Sequence, residues 1–158
     1  MALADGVGEG AGDHVRDDET LYRSVVPSLW KQKSDGEFYL STQAFADRNR
    51  RPSVDRARLC GHDPSYTQFR PSDYVCSLFT EDVRAISTVV SHDRRGVPQV
   101  RHNIDVEPVP LSDNAAHAEI YAVPEISSGG LFGRLLERLA YLARWEDGFG
   151  PESGQTID

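Results

Sequence analysis

Only one stretch of this chain is long and regular enough to make a substantial helix, and it lies near the end. In residues 131–145, Leu131, Leu135, Leu139 and Leu142 recur at helical spacing. Arg134, Glu137, Arg138 and Arg144 fall on the other side. Ser127 or Ser128 can cap its start, and Gly148 marks its end. The apolar stripe is a core face; the opposite face mixes charges, unlike the basic face of a membrane-surface helix. Everything upstream is strand-length and broken by Pro, Gly or Asp. Residues 21–26 read as a strand stopped by Pro27. Residues 37–40 read as a second strand, a hairpin partner of the first, and 41–45 continue it or turn away. An Arg-rich loop follows over 46–53. Helix and strand both fit 53–59, and 61–73 read as irregular. Residues 74–79 form a buried strand, with Thr80 as N-cap of a short helix over 81–86. Further strands fall at 87–91, 97–109 and 116–123, and Pro108 and Pro110 keep the end of 97–109 out of a central position. The expected fold is α+β: a mostly antiparallel sheet with the C-terminal amphipathic helix packed on one face.

The net charge of -8 divides unevenly. Residues 1–20 hold six acids and one base, and residues 146–158 hold four acids and no base. Both ends are Gly-rich and poor in apolar residues, so both are expected to be disordered acidic tails around a single domain at 21–145. No apolar run approaches the roughly 18 residues of a membrane span, and the N-terminus lacks the pattern of a secretory signal. A cytoplasmic location is the expectation, with Cys60 and Cys76 as two free thiols. The 15 arginines against Lys31 and Lys33 fit GC-rich coding or, alternatively, a site for carboxylates or phosphates.

Three groups of residues could carry chemistry. Cys60, His62, Cys76 and His92 are zinc-type ligands, but their spacing matches no common finger and no metal is expected. Arg48, Arg50, Arg51, Arg56 and Arg58 are dense enough to hold phosphates, although Asp47 and Asp55 dilute them. A solvated loop with internal ion pairs is the plainer reading, and nucleic-acid binding is not expected. Asp113 and Asn114 form an Asx-type turn before a strand on which His117 and Glu119 face one side. A His beside a carboxylate is a general acid–base pair or an ordinary surface pair.

The blocks Leu21-Tyr22-Arg23, Ser53-Val54-Asp55-Arg56-Ala57 and Asp113-Asn114-Ala115-Ala116-His117-Ala118 resemble those of small prokaryotic proteins, across most of residues 21–145. That resemblance implies no activity. Arg23, Ser41-Thr42-Gln43 and His117-Ala118-Glu119 are similar to the motifs of Arg–Ser–Glu type ADP-ribosyltransferases. This second resemblance implies that Arg23 holds the NAD diphosphate, Ser41 supports the site and Glu119 binds the ribose. Gln43 and His117 depart from the family pattern, and the gap from Arg23 to Ser41 is short. The function expected first is a small binding or accessory protein acting through a protein partner or a phosphate-bearing ligand, as in a prokaryotic toxin–antitoxin or defence system. The alternative is a nucleotide- or NAD-using enzyme. Its catalytic residues would be Arg23, His117 and Glu119; Arg56, Asp55, Asp113, Asn114 and Ser41 would contact the ligand. No cofactor is expected under the first reading.

Overall fold

Extended segments that cannot satisfy their backbone locally must pair, and among the described residues ten do, six of them in one sheet. The computed structural model describes residues 10–151. In chain order the strands are β1 (Thr20–Val25), β2 (Trp30–Gln32), β3 (Phe38–Leu40), β4 (Ser53–Arg56), β5 (Tyr74–Phe79), β6 (Val90–His92), β7 (Pro98–Arg101), β8 (Asn103–Pro108), β9 (His117–Val123) and β10 (Arg144–Trp145). Helix α1 (Thr80–Arg84) follows β5, and helix α2 (Gly129–Leu142) precedes β10. The main sheet runs β10-β5-β1-β4-β9-β8, and β2–β3 and β6–β7 form separate hairpins. All pairings are antiparallel. The fold is thus α+β, with the C-terminal helix on one face of the sheet. Pro108 ends an edge strand, where a missing ladder donor does little harm.

Strand alternation gives the two faces of the sheet different fates. Leu21, Val25, Val54, Cys76, Leu78, Ile104, Val106, Ala118 and Ile120 point into the main core. They meet Phe132, Leu135, Leu136 and Leu139 of α2 there. The Ser128 hydroxyl accepts from Leu131 N at 3.2 Å, capping the first turn. The opposite face carries a smaller cluster, Tyr22, Ala57, Cys60, Val75 and Ala116. Much of that second face is polar and open.

Several expectations need correction. Residues 38–40 pair with β2, not with β1, because the turn through Gly36 returns the chain onto its immediate predecessor. Thr80 is not a cap: its hydroxyl is buried without a partner among the described residues, and Phe79 occupies the cap position. Glu81 and Asp82 do sit in the first turn of α1, where the helix dipole favours acids. Helix α2 ends at Leu142 rather than running to 145. Ala143 turns to an extended conformation, and Trp145 packs edge-on to Trp30 and Phe38.

The largest correction concerns the acidic ends. Residues 10–20 are not a free tail, and neither are 146–151; residues 1–9 and 152–158 lie outside the described residues. Val15 is fully buried in the main core. Arg56 on β4 is 0% exposed, and its guanidinium meets both Glu19 oxygens at 2.8 Å. The remaining donors reach the backbone carbonyls of Gly10, Ala11, Asp13 and His14. One buried cation therefore organises the whole segment. At the other end, Val75 donates to the Phe149 carbonyl at 2.9 Å, and Glu146 N donates to the Val75 carbonyl at 3.0 Å. A Cβ at Gly150 would collide with the Trp145 ring, so only glycine fits that approach.

Burial alone would raise the Glu19 carboxyl, but the hydrogen bonds and charge of Arg56, the Arg16 amide and the Arg58 charge hold it below its ordinary value near 4.5. A depressed folded pKa means stability that is present above the unfolded pKa and is lost as pH falls through the folded one. Glu19→Gln leaves Arg56 buried and unpaired, which costs about 3–5 kcal/mol. Urea unfolding at pH 7 will show that loss. Unfolding repeated down through pH 4 will show the wild-type advantage shrinking toward the variant.

Candidate functional site

On the open face of the sheet, β1, β4 and β9 form the floor of a groove of about 500 Å³. Asp55 and Ser53 project from β4, and His117 from β9 stands opposite Asp55 in register. Thr67 and Phe69, from the segment between β4 and β5, close one wall, and Leu111 and Asn114 close another. Arg23 also lines the groove.

Asp55 anchors this arrangement. It is buried, and its carboxylate accepts from Asn114 Nδ2 and from the Thr67 hydroxyl, each at 2.8 Å. Asn114 Oδ1 in turn accepts from Tyr66 OH at 2.7 Å and from Ala116 N at 3.1 Å. The Asx turn read from the sequence is therefore real, and it also ties the 61–73 segment to the sheet. Ser24 adds a second tie, donating to Asp73 at 3.2 Å and accepting from Phe69 N at 3.0 Å.

His117 is held differently from its sequence reading. Its Nδ1 lies 2.8 Å from the Val109 carbonyl, and its Nε2 lies 3.2 Å from Ser53 Oγ. A carbonyl can only accept, so Nδ1 carries a proton, and in the neutral tautomer that this selects Nε2 accepts from the Ser53 hydroxyl. Glu119 shares the strand face of His117 but is not its partner. Its carboxylate accepts from Arg51 Nε at 2.7 Å, and Arg51 also pairs with Glu107 and stacks over Tyr121. His117 and Glu119 therefore form neither the acid–base pair nor the surface pair that their spacing allows: His117 meets Ser53 and the Val109 carbonyl, and Glu119 meets Arg51.

The groove brings together Arg23, Asp55, Asn114 and His117. It leaves out Ser41, Arg56, Asp113 and Glu119. Ser41 accepts from Gln43 N at 3.2 Å and caps the turn Thr42–Phe45, so its oxygen serves the backbone. Arg56 spends its donors inside the protein and has none for a ligand. Arg23 is largely committed as well: it donates to Ala44 O at 2.6 Å and Ser53 O at 2.8 Å, and pairs with Asp47 at 3.3 Å. The dense arginines of 48–58 disperse in the same way. Arg50 donates to Ile126 O at 3.4 Å, and Arg58 lies 3.6 Å from Glu19. Asp113 is exposed in the turn before β9.

The sequence reading missed Ser53, Thr67 and Phe69. Ser53 had a usable signal: it is two residues from Asp55, so on a strand both face the same side. The two thiols do not form a site. Cys60 and Cys76 belong to separate buried clusters, and burial pushes each thiol up to about 12. Among the described residues, no three His, Cys, Asp or Glu side chains are grouped to hold a metal.

Asn114→Ala removes one donor from buried Asp55 and the acceptor of Tyr66. A cost of about 1–3 kcal/mol is expected, together with faster amide exchange across 64–69 and unchanged exchange in α2. Hydrogen exchange followed by mass spectrometry resolves the two regions. No family model matches the chain, and neither a curated protein nor a solved structure matches it.

Proposed function

We propose that this chain is a binding or accessory protein that seats a segment of a protein partner in the groove of the open sheet face. The observation that carries this reading is Phe69, which stands 79% exposed at the groove wall. Leu111 in the wall and Tyr66 beside it are exposed as well. Aromatic and aliphatic side chains held out over a polar, hydrogen-bonding floor are the usual anatomy of an interface anchor. The floor's charges favour a peptide over a phosphate. Asp55 brings a negative charge compensated only by neutral donors, and Arg23 and Arg56 are already engaged. The Ser53 oxygen, whose proton is directed at His117, keeps a lone pair to accept from a backbone amide.

One observation favours catalysis as a second reading. The Ser53 hydroxyl faces a His117 Nε2 whose ring is oriented through Nδ1, which is how a serine nucleophile is activated. Against it, Asn114 Nδ2 and the Thr67 hydroxyl are already given to Asp55 and do not serve as oxyanion donors. A fluorophosphonate probe separates the readings: labelling of Ser53 that vanishes in His117→Ala would establish the enzyme.

Peptides selected from a displayed random library on the purified chain are expected to converge on one motif. Their binding will shift the amide resonances of 67–69, 111–114 and 117. Phe69→Ala is expected to weaken binding at least tenfold, since buried aromatic anchors typically contribute 2 kcal/mol or more. Selection that yields no converging motif, or shifts confined to the α2 face, would overturn the proposal.

A further inference from the structure

A second cavity lies away from the groove and shares no residue with it. It occupies about 600 Å³ between the β2–β3 hairpin and the C-terminal half of α2. Trp30, Phe38, Tyr39, Tyr141 and Trp145 supply aromatic surface to its lining. Trp145 stands edge-on to Trp30 at 5.0 Å and to Phe38 at 6.0 Å, so the three rings form a corner with faces at right angles. That volume and lining are of the kind small organic ligands occupy.

The surroundings of the cavity point to the ligand's chemistry, because they are cationic. Lys33 and Arg144 belong to the lining, and Arg134 and Arg138 border the adjoining depression, against Glu137 as the one acid among the described residues of either lining. Among the described residues Lys33 pairs only with Glu37, at 3.6 Å, with both side chains largely exposed. Such a pair is worth little and exchanges readily for another anion. Arg144 pairs with Ser77 whereas Trp145 pairs with Cys76 of the core, so the Arg144 guanidinium, 4.2 Å over the Phe79 ring, lies on the sheet face away from the aromatic corner and leaves Lys33 as the cation for a carboxylate.

We propose that this cavity binds a small planar organic anion. Its aromatic body packs into the Trp30–Phe38–Trp145 corner, and its carboxylate is held by Lys33. The site is independent of the partner groove.

The chain carries its own reporter, because Trp30 and Trp145 are its only two tryptophans. Titration with 2-naphthoate is expected to change their emission saturably in the micromolar range. 2-Naphthamide, uncharged and of the same shape, is expected to bind at least tenfold more weakly. Lys33→Glu alters an exposed side chain and will not disturb the core, and it is expected to weaken naphthoate at least tenfold while leaving the amide unchanged. No saturable change up to millimolar naphthoate, equal affinity for acid and amide, or an unaffected Lys33→Glu variant would each overturn the proposal.

Discussion

The buried pair between Arg56 and Glu19 is the contact on which the rest of the structure depends. A guanidinium with no exposed surface is tolerable only when its donors are used and its charge is neutralised. Here the last residue of a central strand supplies the cation. The segment leading into β1 supplies the carboxylate and four backbone carbonyls. The acidic approach segment is therefore bound by charge and hydrogen bonding more than by apolar area. Val15 and Ala11 add two small hydrophobic footholds. Once β1 is fixed in this way it can template both β4 and β5, its neighbours in the sheet.

The two faces of that sheet then divide the work. One is closed by α2 and the main core, whose residues are the apolar half of each strand's alternation. The other keeps a polar half that cannot be left unsatisfied, and Asp55 is its organising group. By accepting from Asn114 and Thr67, it fastens two otherwise irregular segments as walls. The groove exists because those walls are tied down at their bases, while Phe69 and Leu111 are held outward. Stability and recognition thus use neighbouring residues of one strand: Arg56 points inward to the N-terminal segment, and Asp55 points outward to the groove.

The α+β architecture was legible because its signals are local. Helix α2 announces itself by leucine spacing, and β1, β5 and β9 by short apolar runs. What depends on distant partners was not legible. Trp30–Gln32 carries no clean alternation, so its pairing with Phe38–Leu40 has no signature, and sequence alone offers β1 as the partner of the latter strand. Residues 10–20 look like a solvated tail by composition, since nothing in their sequence reveals that Glu19 meets a buried arginine 37 residues away. The same limit applies to the site. Spacing correctly placed His117 and Glu119 on one strand face, but a strand face is shared with neighbouring strands. Ser53 reached His117 first, and Arg51 took Glu119. The arginine cluster is legible in part: internal ion pairs are the plainer reading of its sequence, and Arg51, Arg56 and Arg58 form ion pairs, but with acids far along the chain that the cluster itself does not reveal.

Native-state hydrogen exchange of the N-terminal segment tests this account most directly. The amides of Asp13 and Glu19 bond to carbonyls within the segment, and Thr80 and Glu81 donate back to Glu19 and Asp17. If Arg56 and Glu19 lock the segment to the sheet, these amides open only with global unfolding, at the same free energy as the amides of β1 and β4. Rapid exchange at Asp13 and Glu19, with β1 and β4 still protected, would show a segment that frays independently and would contradict the central role given to that pair.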